Sequence, residues 1–115
     1  MKREYKLFLH DILTACVDIQ DFTSGMNFEQ FVIDRKTNSA VVRQFEIIGE
    51  AVKNIPEWIK DKAPDIPWKD IAGMRDRLIH GYFGVDYNLV WATTVYNIPE
   101  LYKNISRLID GIDSK

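Results

Sequence analysis

Cysteine occurs once in these 115 residues, at Cys16, and histidine twice, at His10 and His80. A lone cysteine closes no internal disulfide, and with those two histidines it makes no metal-ligand spacing, so neither a bridge nor a structural zinc is expected. No apolar run approaches the length needed to cross a bilayer, and Glu4, His10 and Asp11 interrupt any signal-type apolar core near the start. Positive charge is not in excess: 15 Lys and Arg against 17 Asp and Glu leave a formal charge of -2. That argues against attachment to nucleic acid through a broad positive field and requires any such contact to be local. Nothing in the composition calls for a cofactor. The expectation is a cytoplasmic protein with no membrane partner.

What is present is apolar surface at helical spacing. Hydrophobic residues make up 46% of the chain, enough at this length for one domain over residues 1–115 with its own core. Tyr5, Phe8, Ile12, Cys16 and Ile19 step by three and four, which predicts a helix over 3–23 ended by Gly25. NFEQFVID predicts a short second helix capped by Asn27, with Phe28 and Phe31 turned inward. Asn38 or Ser39 is the expected cap of a third, whose stripe is Val41, Phe45, Ile48, Val52 and Ile55. PEWIKDKAPDIP, with three prolines, reads as a bent connector holding one helical turn from Pro56. Pro67 begins the next helix, expected to continue to Gly81 as its left-handed last residue. Asp86 then caps a long final helix to about Ile112, kinked or broken at Pro99. No strand pattern competes. The prediction is an all-α, up-and-down bundle of four to five helices.

One stretch resists a purely structural account: RDRLIHGY, residues 75–82. On an unbroken helix Arg75 shares its face with Ile71, Leu78 and Ile79, so a guanidinium falls in the apolar stripe. It must meet a carboxylate, project into a cleft or lie at an interface, because burying it unpaired is costly. His80 lies about 140° around the axis and roughly 7.5 Å along it, so one helix does not bring the two together easily. Asp76 and His80 are an i, i+4 pair, in which the carboxylate can orient the imidazole and favour its cation. A histidine near the carbonyl end of a helix can act as general acid or base, and an arginine beside it can bind a phosphate. A charged last turn that merely caps a helix has the same spacing, and both readings stay open on geometry alone.

These residues resemble the R-x4-6-H motif of HEPN domains, helical domains named for nucleotide binding in higher eukaryotes and prokaryotes. The fuller R-x4-H-x-Y form, matched by Arg75, His80 and Tyr82, is similar to that of the HepT-like toxins. The likeness extends to FEIIGEAVKNIP at 45–56, IPWKDIAGMRDRLIHGYFGVDYNLVW at 66–91 and IPELYKNISRLI at 98–109, and so covers nearly the whole chain. The resemblance implies a HEPN-like bundle that forms a homodimer through the motif-bearing face, with the Arg and His motifs of two protomers lining one cleft. It implies metal-independent endoribonuclease activity, with Arg75 and His80 catalytic and Asp76 supporting them. It also implies a toxin paired with an MNT-type nucleotidyltransferase antitoxin, which would transfer AMP to Tyr82. By its phase with Arg75 and Leu78 Tyr82 could be core, but Gly81 and Gly84 on either side favour an exposed setting and the modification role. The alternative function is a non-catalytic HEPN module that binds a nucleotide or RNA and pairs with a nucleotidyltransferase.

Other polar and aromatic candidates have plainer readings. Glu50 is a possible partner for Arg75, but Lys53 and Asn54 lie at helical spacing and would satisfy it as well. His10 falls on a solvated face and Cys16 on the packed one. Trp58, Trp68 and Trp91 could stack on bases, though core or interface packing explains them better. Arg77, Lys69 and Arg43 read as solvated surface that could supply phosphate contacts.

Overall fold

The first helix, α1 (Tyr5–Phe22), buries Ile12, Cys16 and Ile19 of the predicted stripe together with Leu9 and Ala15, while Tyr5 and Phe8 are partly buried. This is the computed structural model of the chain, and it describes residues 4–79 and 84–114. Seven further segments follow: α2 (Phe28–Ile33), α3 (Arg35–Lys53), α4 (Glu57–Lys60), α5 (Trp68–Ala72), α6 (Met74–Leu78), α7 (Tyr87–Ala92) and α8 (Ile98–Asp113). The all-α bundle is as expected, more finely divided than four or five helices. Among the described residues the only extended pairing is one isolated bridge, Ile79 with Val85. No helix among them is long and apolar enough to cross a membrane.

The core lies between α1, α3 and α8, where Phe45, Ile48, Ile12, Ile19, Ile105 and Ile98 are almost wholly buried. Each such side chain contributes roughly 1.5–3 kcal/mol by leaving water, which outweighs any local propensity in holding the layers together. Cys16 belongs to this packing, and burial pushes its thiol up to about 12, so it is inert at neutral pH. Gly49 lies beneath α5, where a Cβ would touch the Ile71 carbonyl oxygen at 3.6 Å, so the backbones of α3 and α5 run close together.

The connections show why some boundaries were legible. Asn27 accepts from the Gln30 N–H at 2.9 Å while the Gln30 side chain accepts from the Asn27 N–H at 2.9 Å, a reciprocal cap. Phe31 is buried and Phe28 partly so, both packed on Trp91. Thr93–Asn97 forms a wider π-helical turn between α7 and α8. Pro99 has no N–H to offer the Val95 carbonyl, and the extra residue in the turn absorbs that loss.

Three expectations need correction. The cap of α3 is Asp34, which accepts from the Thr37 N–H at 3.0 Å, and neither Asn38 nor Ser39. Asn38 is instead buried inside the helix, where its Nδ2 donates to the Phe31 and Val32 carbonyls, each at 3.1 Å. The helix from Pro67 is not continuous: it breaks at Gly73 into α5 and α6 and stops at Leu78. Gly81, its expected last residue, lies outside the described residues. Trp58 is neither core nor covered; it is 54% exposed with its ring edge-on to Tyr5.

Asn38→Ala should therefore cost about 1–3 kcal/mol in urea unfolding, because two end carbonyls of α2 lose their donor in a buried place. A change below about 0.5 kcal/mol would mean water replaces the amide there.

Candidate active site

Across the break at Gly73 the buried stripe runs through Ile71, Met74 and Leu78 and passes beside Arg75. In α6 the buried residues are Met74 and Leu78, one turn apart, so Arg75, Asp76 and Arg77 all face outward. The apolar-face arginine of the unbroken helix does not occur. Arg75 does meet a carboxylate, and the carboxylate is Glu46 of α3: its Nε donates to Glu46 Oε2 at 3.0 Å. Glu50 keeps the plainer reading: its carboxylate lies 3.8 Å from Lys53, and its backbone carbonyl accepts from Asn54.

The Arg75 side chain is 56% exposed and that of Glu46 29%. The second Glu46 oxygen lies 3.9 Å from Arg43 Nη1, and Asp76 Oδ1 lies 3.9 Å from Arg75 Nη1. A pair this open to water contributes at most about 1 kcal/mol, so its consequence is orientation more than stability. Arg77 points elsewhere: its Nη2 donates to the Asp70 carbonyl at 3.0 Å, and it lines a cavity of about 450 Å³ with Asp70, Met74, Leu78 and Leu89. Arg75 is not part of that cavity. Lys69 and Arg43 are exposed, in keeping with the solvated reading.

Helix α6 ends because Ile79 turns extended, with φ -118° and ψ 113°. Ile79 bridges Val85, and the Asp86 N–H donates to the Leu78 carbonyl at 2.8 Å. Asp86 then caps α7, accepting from the Leu89 N–H at 3.1 Å, as expected. Ile79 and Val85, on either side of residues 80–83, are thus joined beside the last turn of α6, the turn that carries Arg75. His80 and Tyr82 belong to that stretch and lie outside the described residues. Asp76 Oδ1 lies beside Arg75, 3.9 Å from its Nη1, and the expected pairing of Asp76 with His80 falls outside the described residues. Among the described residues no group of three or more His, Cys, Asp or Glu comes together to hold a metal.

Sequence reasoning missed Glu46, which precedes Glu50 by one turn on the same helix. Choosing between the two requires the register of α3 against α6, which no local signal carries. It also missed the Ile79–Val85 bridge, too short to leave an alternating pattern.

The model of the family described as ribonuclease HepT-like matches residues 12–108. The chain belongs to the HepT-like ribonuclease family. "Putative RNase MJ1216" of Methanocaldococcus jannaschii is 52% identical over 114 residues, 99% of this chain and 94% of that one. "Probable ribonuclease HepT" of Thermococcus cleftensis is 49% identical over 108 residues, 94% of this chain and 98% of that one. No solved structure matches. Membership supports a ribonuclease function for this HepT-like chain, and Arg75 and Glu46 lie within the matched span.

Gly84 has φ +88° with open space around a would-be Cβ. Gly84→Ala should cost about 1–2 kcal/mol from backbone conformation alone. Gly111→Ala, on α8 with equal space, should instead gain roughly 0.5–1 kcal/mol. Thermal unfolding of the two variants checks the opposite signs; equal signs would contradict the left-handed assignment at Gly84.

Proposed function

We propose that this HepT-like protein is a metal-independent endoribonuclease that acts as a homodimer, with Arg75 and His80 catalytic, Asp76 supporting, and RNA bound in a cleft between protomers. The observation that carries this reading is the exposed Arg75 guanidinium. It is fixed through Nε by Glu46 and stands one short turn from the segment that holds His80. Arg75 binds the phosphate and offsets the charge that builds up on it. The 2′-hydroxyl oxygen attacks the neighbouring phosphorus, its proton passes to a base, the bond from phosphorus to the 5′ oxygen breaks, and that oxygen takes up a proton. His80 serves as the general acid or base. In the two-fold arrangement, Arg75 of one protomer acts with His80 of the partner subunit, so the two groups need not converge from one chain.

The same reading makes the protein a toxin whose partner is an MNT-type nucleotidyltransferase antitoxin. AMP transferred to Tyr82 adds a phosphate two residues from His80, which competes for Arg75 and repels RNA. The formal charge of -2 favours a second reading, a non-catalytic module that binds RNA or a nucleotide and pairs with such a transferase.

Purified protein should cleave single-stranded RNA in EDTA, and Arg75→Ala and His80→Ala should each lose at least about a hundredfold in rate while remaining folded. Equal cleavage by all three proteins would remove the catalytic assignment, and no cleavage by wild type would favour the binding module. Incubation with the nucleotidyltransferase and ATP should raise the mass in AMP-sized steps. Tyr82→Phe should abolish those steps, and their persistence would place the modification elsewhere.

A further inference from the structure

Arginine offers a phosphate two parallel N–H donors, and the fit depends on the plane in which the guanidinium is held. An exposed arginine on a five-residue helix has no packing to fix that plane, and its free rotamers would have to be ordered at every binding event. Here one contact does fix it. Glu46 Oε2 accepts from Nε at 3.0 Å, whereas at the terminal nitrogens Asp76 Oδ1 stands 3.9 Å from Nη1, beyond hydrogen-bond distance. The carboxylate is itself steadied, because it is only 29% exposed, follows the buried Phe45 on the long helix α3, and has its other oxygen 3.9 Å from Arg43. α3 and α6 pack on each other, so the position of Glu46 relative to Arg75 is set by the core.

From this juxtaposition of Glu46 on α3 and Arg75 on α6, we infer that Glu46 is a positioning residue: it orients the Arg75 guanidinium so that its terminal N–H edge is presented to an RNA phosphate. This rests on the ribonuclease reading of Arg75. The carboxylate touches no substrate atom and acts only through the arginine. Because its partner Arg75 is 56% open to water, the pair adds little to stability, so removal of the carboxylate should be felt in RNA binding and turnover and hardly in folding.

A double-mutant cycle on binding separates positioning from a general structural effect. The probe is a fluorescent, fully 2′-O-methylated RNA oligonucleotide, which lacks the attacking hydroxyl and stays intact, read by anisotropy. The unmodified oligonucleotide then gives the cleavage rate. Glu46→Ala should weaken binding about five- to tenfold and slow cleavage by at least as much, the loss of one charge-assisted hydrogen bond. Glu46→Gln keeps an oxygen to accept from Nε and should stay within about threefold of wild type. In the Arg75→Ala background, Glu46→Ala should change binding less than about twofold.

Wild-type binding and cleavage by Glu46→Ala would overturn the inference. So would the same loss with and without Arg75, since the effect would then not pass through the arginine. If Glu46→Ala did not fold, the inference would fall, because a residue needed for the fold is more than a positioning residue. Loss in Arg75→Ala with no loss in Glu46→Ala defeats this inference and leaves the ribonuclease reading intact. Full activity of Arg75→Ala defeats both.

Discussion

The apolar stripe of α3 is the constraint on which the rest depends. Val41, Phe45, Ile48 and Val52 are buried, and α1, α2, α5 and α6 all pack on this helix. Once that stripe faces inward, Glu46, next to Phe45, is carried to the edge of the core, where α6 arrives. α6 in turn must bury Met74 and Leu78 from only five residues, which turns Arg75 outward onto Glu46. The charged pair is thus a product of two apolar commitments, and its geometry is as firm as the packing beneath it.

Much of this was legible in the sequence because long stripes average over many residues. The buried face of α1, the Asn27 and Asp86 caps, the turn at Pro56 and the disturbance before Pro99 all follow from local chemistry. The break at Gly73 was not legible. A glycine inside a helical pattern is tolerated or breaks the helix according to tertiary packing. The reading of Arg75 changed for a separate reason: the buried positions are Ile71, Met74 and Leu78, which leaves the arginine on an exposed face with a carboxylate partner. Asn38 failed for a related reason: its side chain suits a cap, but the carbonyls of Phe31 and Val32 offered better use inside the core. The motif itself was found by family resemblance, and the family model over residues 12–108 supports that route. Glu46 could be found only from the structure.

The chemistry follows from the same economy. A protein with formal charge -2 has no broad field with which to draw in RNA, so a ribonuclease built on it must concentrate its phosphate recognition in a few well-held groups. On the proposed reading Arg75, held at Nε by Glu46, would be such a group. The residues that flank His80 and Tyr82 in sequence are joined by the Ile79–Val85 bridge and the bond from the Asp86 N–H to the Leu78 carbonyl. Substrate binding, proton transfer and inhibition by modification would then share one small region, where a phosphate added to the tyrosine competes with the phosphate of RNA.

The central claim is a site completed by two protomers, with Arg75 from one and His80 of the partner subunit, and subunit mixing tests it most directly. Arg75→Ala and His80→Ala proteins, each inactive, are denatured together, refolded and assayed on RNA. Half of the dimers are then mixed, each with one intact site of two, so the mixture should regain about a quarter of wild-type activity. A mixture as inactive as its parents, despite verified mixed dimers, would contradict the account.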